Sequence, residues 1–235
     1  MGAAEIFLRP SPNFGRRRHG RGPDMVVLHH TAMRDVASAL DRLCDPAAEV
    51  SCHYLIDERG HIFRLVDESL RAWHAGAGRW GRVEDVNSHS IGIELANPGP
   101  LRGHPPYAAA QMDALELLLG DILKRHRIAP QAVIAHSDMA PGRKADPGAC
   151  FDWRRLSLRG LAVWPEPSMR QAPDEAAFLE QAAAFGYPVG GDVSGDTILA
   201  AFRLRFRPRH HGPLDGDDMA IITALAQTYP CRLGP

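Results

Sequence analysis

Two short apolar runs in this chain each stop at a histidine. Met25-Val26-Val27-Leu28 runs into His29-His30-Thr31, and Val133-Ile134-Ala135 runs into His136. A brief apolar run without polar alternation is the pattern of a strand buried on both faces. Each histidine therefore stands at the carboxyl end of a strand, where the sheet fixes its position. Beyond His136 the chain turns into a loop studded with Pro and Gly that carries Asp138, Lys144 and Asp146 before Pro147-Gly148. Such a loop can fold back and bring Asp146 near His136. Histidine plus carboxylate at a strand end is a donor set for a first-row metal, most simply zinc, and three protein ligands would leave a position for water. The other strand-end histidines supply the third candidate. Adjacent strand residues point to opposite faces, so only one of His29 and His30 can ligate. Cys150, four residues beyond Asp146, is a rival thiolate ligand.

The rest of the chain decides what scaffold holds these strands. Val36, Leu40 and Leu43 have helical spacing. Ser51–Asp57 and His61–Val66 flank Glu58-Arg59-Gly60 as a hairpin. Ser90-Ile91-Gly92-Ile93-Glu94-Leu95 is a further strand, and a helix runs from Ala108 to about Arg125 with Met112, Leu115, Leu119 and Ile122 as its packing stripe. Phe151–Leu156 starts another helix. Strands interspersed with helices, one pair forming a hairpin, predict an α/β (α+β) domain: a mixed central sheet flanked by helices. Glu94 shares its strand face with Gly92, opposite Ile91, Ile93 and Leu95. A carboxylate in such a strand needs a reason. One is work as a general base beside a metal-activated water; the other is a face that meets solvent.

Residues 1–24, with three prolines, read as irregular. The run Gly15-Arg16-Arg17-Arg18-His19-Gly20-Arg21 reads as a solvated loop, because the apolar stretch after it is too short for a signal h-region. With no transmembrane run and a net charge of −1 over 235 residues, neither membrane insertion nor nucleic-acid binding is expected. Four cysteines without a Cys-x-x-Cys pair fit a reducing compartment, so a cytoplasmic location is the expectation, with a periplasmic or cell-envelope one as the alternative, and a monomer is expected. The prolines of 165–173 mark a linker between residues 1–164 and a helical tail, 174–235. The tail carries three helices, each starting at or near an Asp N-cap: Asp174, Asp196 and Asp215. A unit of that size is marginal alone and is expected to lean on the first.

Taken together, the motifs Val27-Leu28-His29-His30-Thr31-Ala32, Ser51-Cys52-His53-Tyr54-Leu55, Ala72-Trp73-His74-Ala75-Gly76, Asn87 with Ser90–Glu94, and Ala135–Asp138 with Asp146-Pro147-Gly148 resemble the zinc-dependent N-acetylmuramoyl-L-alanine amidases of the type 2 family. The fold is shared with peptidoglycan-recognition proteins. The likeness runs from about Ser11 to Trp164. The tail is similar to the three-helix, peptidoglycan-binding-like unit of the AmiD-like branch. The resemblance implies Zn2+ held by His29, His136 and Asp146, with His30 and Cys150 outside the ligand set. It also implies Glu94 as general base and Lys144 as partner of the oxyanion, while His74 and Trp73 would line the groove for a peptidoglycan or muropeptide substrate. The bond cut would be the amide between the muramic acid lactyl group and L-alanine. The alternative is a non-catalytic peptidoglycan-binding protein on the same fold. A zinc peptidase cutting within the stem peptide is a third option that would use the same metal chemistry, and the absence of a His-Glu-x-x-His motif counts against it.

Overall fold

The computed structural model describes residues 6–20, 22–166 and 169–234. The strands are β1 (Ile6–Leu8), β2 (Phe14–Arg16), β3 (Met25–His30), β4 (Tyr54–Ile56), β5 (Ile62–Arg64), β6 (Leu70–Ala72), β7 (Ser90–Leu95) and β8 (Val133–Ala135). The α-helices are α1 (Val36–Cys44), α2 (Val86–His89), α3 (Ala109–His126), α4 (His136–Met139), α5 (Trp153–Leu158), α6 (Glu175–Phe185), α7 (Gly195–Phe206) and α8 (Gly216–Thr228). Six strands form one mixed sheet in the order β1-β5-β4-β7-β3-β8, and β2 pairs with β6 in a small antiparallel ribbon. Within the main sheet β4, β7, β3 and β8 run parallel, and β5 returns antiparallel to β4 as the expected hairpin.

Every residue from Met25 to Leu28 and from Val133 to Ala135 is essentially inaccessible, as their unbroken apolar pattern requires. The α3 stripe, Met112, Leu115, Leu119 and Ile122, joins them in one apolar cluster. A second cluster gathers Ala39, Leu40 and Leu43 of α1 with Cys52, Leu55 and Leu65.

The first 24 residues differ from their reading as irregular chain. β1 adds an edge strand beside β5, and β2 pairs with β6. Three-residue strands carry no periodicity of their own; only their partners define them. The basic run is not all solvated either. The Arg17 guanidinium reaches inward and donates to the carbonyls of Glu68, Ser88 and Ser90, pinning the start of β7.

The helical tail shares the apolar cluster of the sheet. Phe178, Phe185, Tyr187, Phe202, Phe206 and Leu225 belong to it together with Leu115 and Trp153. Trp80 packs edge-on against Phe185 and Tyr187. Gly186 closes this seam: a Cβ there would lie 2.4 Å from the Trp80 ring. Asp174 and Asp215 cap α6 and α8 as expected, but Ser194, two residues before Asp196, caps α7. Residues 167 and 168 of the expected linker lie outside the described residues.

Among the polar bonds between the tail and the rest, which include Arg79 to the Val189 carbonyl and Gly81 N–H to the Gly186 carbonyl, one centres on a buried carboxylate. Asp138 accepts from the Ala135 N–H at 2.9 Å, from Tyr187 Oη at 2.9 Å and from Arg205 Nη1 at 2.7 Å. Both charged side chains are fully buried, and the Arg205 guanidinium lies 4.0 Å over the Trp153 ring. Removing one partner of such a pair strands the other charge, at a cost of about 3–5 kcal/mol. Arg205→Ala is therefore expected to lower unfolding stability by about that amount, read from urea transitions at neutral pH.

Candidate metal centre and active site

The parallel register of the central strands builds the site. His29 lies beside Glu94, and Leu28 lies beside Ala135, which puts His136 next to His29 at the carboxyl edge of the sheet. Open sheets with parallel strands bind ligands at this edge. His136 directly follows β8, as expected of a strand-end residue, and it opens α4, so the chain beyond the strand begins as the first turn of a short helix and not as a loop. The chain then turns through Ala140–Lys144 and folds back, and the Ser137 N–H donates to the Asp146 carbonyl at 3.0 Å. Tyr107 Oη, donating to the Pro147 carbonyl at 2.7 Å, clamps the far side of that return.

Three donor atoms converge there. His29 Nδ1 and His136 Nδ1 are 2.9 Å apart, and Asp146 Oδ2 lies 3.1 Å from the first and 2.9 Å from the second. All three residues are buried. The edges of this triangle are close to the ~3.3 Å separations expected between ligands about 2.0–2.1 Å from a tetrahedral metal. The other ring nitrogen of His136, Nε2, donates to the Ala75 carbonyl at 2.9 Å, so in the neutral ring a metal would require, Nδ1 is the lone pair. That lone pair faces an acceptor oxygen, an arrangement that a cation reconciles. The donor set therefore fits a metal ion, with a His/His/carboxylate preference. A second group of potential ligands, His210, Asp215 and Asp218, is already engaged by cations: Arg207 pairs with both aspartates, and Arg203 with Asp218.

Glu94 shares the cavity of about 240 Å³ into which His29, His136, Asp146 and Lys144 open. Its Oε2 is buried without a hydrogen-bond partner among the described residues. Burial, and then the Asp146 charge, push its pKa up to about 8, with Lys144 opposing. His29 is pushed down to about 4, by burial first and then by His136. Lys144 is exposed at the rim. Trp73 and His74 line the same cavity, and both ring nitrogens of His74 are engaged by protein partners, His29 and Ser90. His30 opens onto the cavity but lies outside the donor triangle. Cys150 is exposed and likewise outside it. Sequence reasoning missed the work of Asn87, whose Oδ1 accepts from the N–H groups of both His74 and Ala75, and of Ser90 and Arg143, which serve through backbone and ring contacts. The absent side chain at Gly92, in an otherwise apolar strand, was the one local signal that a ring packs there.

A triad of two histidines and a carboxylate that could hold a metal, with a glutamic acid facing the same cavity and unpaired among the described residues, is a candidate centre for a metal-dependent hydrolase. The comparisons say which kind. The profile of the family described as N-acetylmuramoyl-L-alanine amidase matches residues 19–149. The chain is 36% identical to the N-acetylmuramoyl-L-alanine amidase AmiD of Escherichia coli, over 87% of this chain and 83% of that protein. It is 31% identical to the 1,6-anhydro-N-acetylmuramyl-L-alanine amidase AmpD of Haemophilus influenzae, over 62% of this chain and 86% of the relative. The crystal structure of AmpDh3 from Pseudomonas aeruginosa superposes with a TM-score of 0.81 at 34% identity, covering 92% of this chain and 96% of that one. The chain belongs to the N-acetylmuramoyl-L-alanine amidase family and is an amide hydrolase of that activity. Among the described residues, no helix is long and apolar enough to cross a membrane.

The raised Glu94 pKa has a consequence for the metal-free chain. Between the ordinary glutamate value of ~4.3 and about 8, folded Glu94 keeps a proton that the unfolded chain has lost, so stability falls as pH rises. Buried His29 and His53, depressed to about 4 and about 3, act oppositely, but only below the ordinary histidine value of ~6.5. The window from pH ~6.5 to ~8 therefore isolates Glu94, with a slope approaching ~1.4 kcal/mol per pH unit. Urea unfolding of the metal-free protein across that window should show the decline, and Glu94→Gln should flatten it.

Proposed function

We propose that this amidase binds zinc through His29, His136 and Asp146 and uses Glu94 as its general base and Lys144 as its oxyanion partner. Its substrates would be soluble anhydro-muropeptides. The observation that carries the reading is the convergence of the three donors beside a buried, unpartnered carboxyl group in one cavity. The substrate assignment is supported by two solved relatives. One is a complex of E. coli AmiD with the substrate anhydro-N-acetylmuramic acid-L-Ala-D-gamma-Glu-L-Lys, and the other is AmpDh3 in complex with anhydromuramic pentapeptide. A reducing compartment is supported by four unpaired cysteines.

Zinc, when bound, would lower the pKa of a water toward neutrality and draw the neighbouring carboxyl toward its ionised form. Glu94 accepts the proton of the attacking water and returns it to the leaving L-alanine nitrogen. Enclosure keeps that carboxylate free of competing hydrogen bonds, so its basicity is spent on the substrate water. Lys144 brings a positive charge to the carbonyl oxygen of the lactyl group as it turns negative. Trp73 offers an apolar wall to the sugar or peptide.

Glu94→Gln is expected to keep bound metal while losing about 10²–10⁴-fold in turnover, measured as release of intact stem peptide from anhydro-muropeptide by mass spectrometry. His136→Ala should lose most of its zinc in metal analysis, and Cys150→Ser should keep it. Full zinc in the first variant, or its loss in the second, would overturn the ligand set.

A further inference from the structure

His74 has no established task, and the hydrogen bonds around it run in one direction only. Ser90 Oγ sits 2.6 Å from the Val86 carbonyl, an acceptor without a proton to give, so the single Ser90 hydroxyl proton points there. Toward His74 Nε2, at 3.1 Å, Ser90 Oγ can then only accept, which places a proton on Nε2. Neither His74 nitrogen meets a carboxylate: its partners are Ser90 and His29. With that proton on Nε2, the nitrogen that faces His29 is Nδ1. Nδ1 lies 3.0 Å from His29 Nε2 and accepts the proton that His29 carries there. The remaining nitrogen of His29, Nδ1, is left as a lone pair aimed at His136 and Asp146.

The ring is seated by a deliberate gap. A Cβ at Gly92 would lie 2.4 Å from His74 Cγ and 2.7 Å from its Nδ1, so the imidazole rests on the bare backbone of β7. The backbone of His74 is held by Asn87, and Ser90 is anchored through its carbonyl by Arg17.

We propose that His74 is a positioning residue for the metal centre: the relay Val86 carbonyl–Ser90–His74 fixes the tautomer and tilt of His29 so that Nδ1 is presented as a ligand. This rests on the reading of His29 as a zinc ligand. A ligand histidine commonly gives its second N–H to a carboxylate, a carbonyl or water. Here a neutral histidine takes that place, so the ligand is oriented without adding a negative charge beside Glu94 and Asp146. The substrate-groove role implied by resemblance is not required, since neither ring nitrogen is left to meet a substrate.

The test uses zinc-loaded full-length protein with ¹⁵N-labelled histidine, together with zinc affinity from chelator competition. Two-bond ¹⁵N–¹H spectra should show His74 as the neutral Nε2–H tautomer and His29 protonated at Nε2. Zinc affinity should fall about ten- to hundredfold in His74→Leu and recover in His74→Asn, whose side-chain oxygen can stand near the place of Nδ1. Ser90→Ala, which touches neither zinc ligand nor cavity, should also weaken zinc and give mixed tautomers at His74. A His74 protonated at Nδ1 in the wild-type spectrum, or wild-type zinc affinity in a folded His74→Leu, overturns the proposal. Should His74→Leu fail to fold, the wild-type spectrum and Ser90→Ala decide. Absence of zinc binding by the wild-type chain would instead sink the ligand set on which the relay depends.

Discussion

The parallel pairing of β3 between β7 and β8 is the constraint on which the rest of the structure depends. It sets His29 beside Glu94 and one step from His136, at the edge where parallel strands leave their ends open. Strand backbones buried on both faces cannot slip without exposing apolar residues, so the spacing between His29 and Glu94, the proposed ligand and the proposed base, is as rigid as the core itself. A loop-borne base would have no such guarantee. The chemistry therefore draws its geometry from Val26, Val27, Ile91, Ile93 and Ile134, none of which meets a substrate.

The third proposed ligand, Asp146, comes by a different route, on a return loop held by backbone bonds at Ser137 and a tyrosine hydroxyl at Pro147. The turn that begins this loop is also gripped from the tail. Asp138, two residues after His136, is buried against Tyr187 and Arg205. The tail is thus part of the scaffold behind the metal loop, and its aromatic seam with Trp80 shares the core of the sheet. The buried ion pair at that junction matters chiefly through the cost of breaking it, because loss of either partner strands the other charge.

Electrostatically the site is a pocket of unmet demand. Asp146 and Glu94 stand close together, the second raised by the charge of the first, and Lys144 at the rim is the cation that opposes the shift. Two imidazoles are held neutral by enclosure. A divalent cation, as proposed, would answer each of these at once and offset the cost of a polar cluster inside an otherwise apolar sheet.

Much of this was legible in the chain. Unbroken apolar runs ending in histidine gave the buried strands, the helical stripe of α3 gave its packing face, and the alternation around Glu94 put it opposite Ile93. These are local properties, decided by period and burial. Asp174 and Asp215 at the starts of tail helices were equally plain, because capping is local chemistry. Other features had no such signature. The order β4-β7-β3-β8 depends on which strands pair, and β1 and β2 exist only through their partners. The inward turn of Arg17, the docking of Asp138 on Arg205 and the proton order from Ser90 through His74 to His29 join residues far apart in sequence. Each is set by the distance between two side chains in space, which composition and spacing do not encode and only the packed sheet and helices decide.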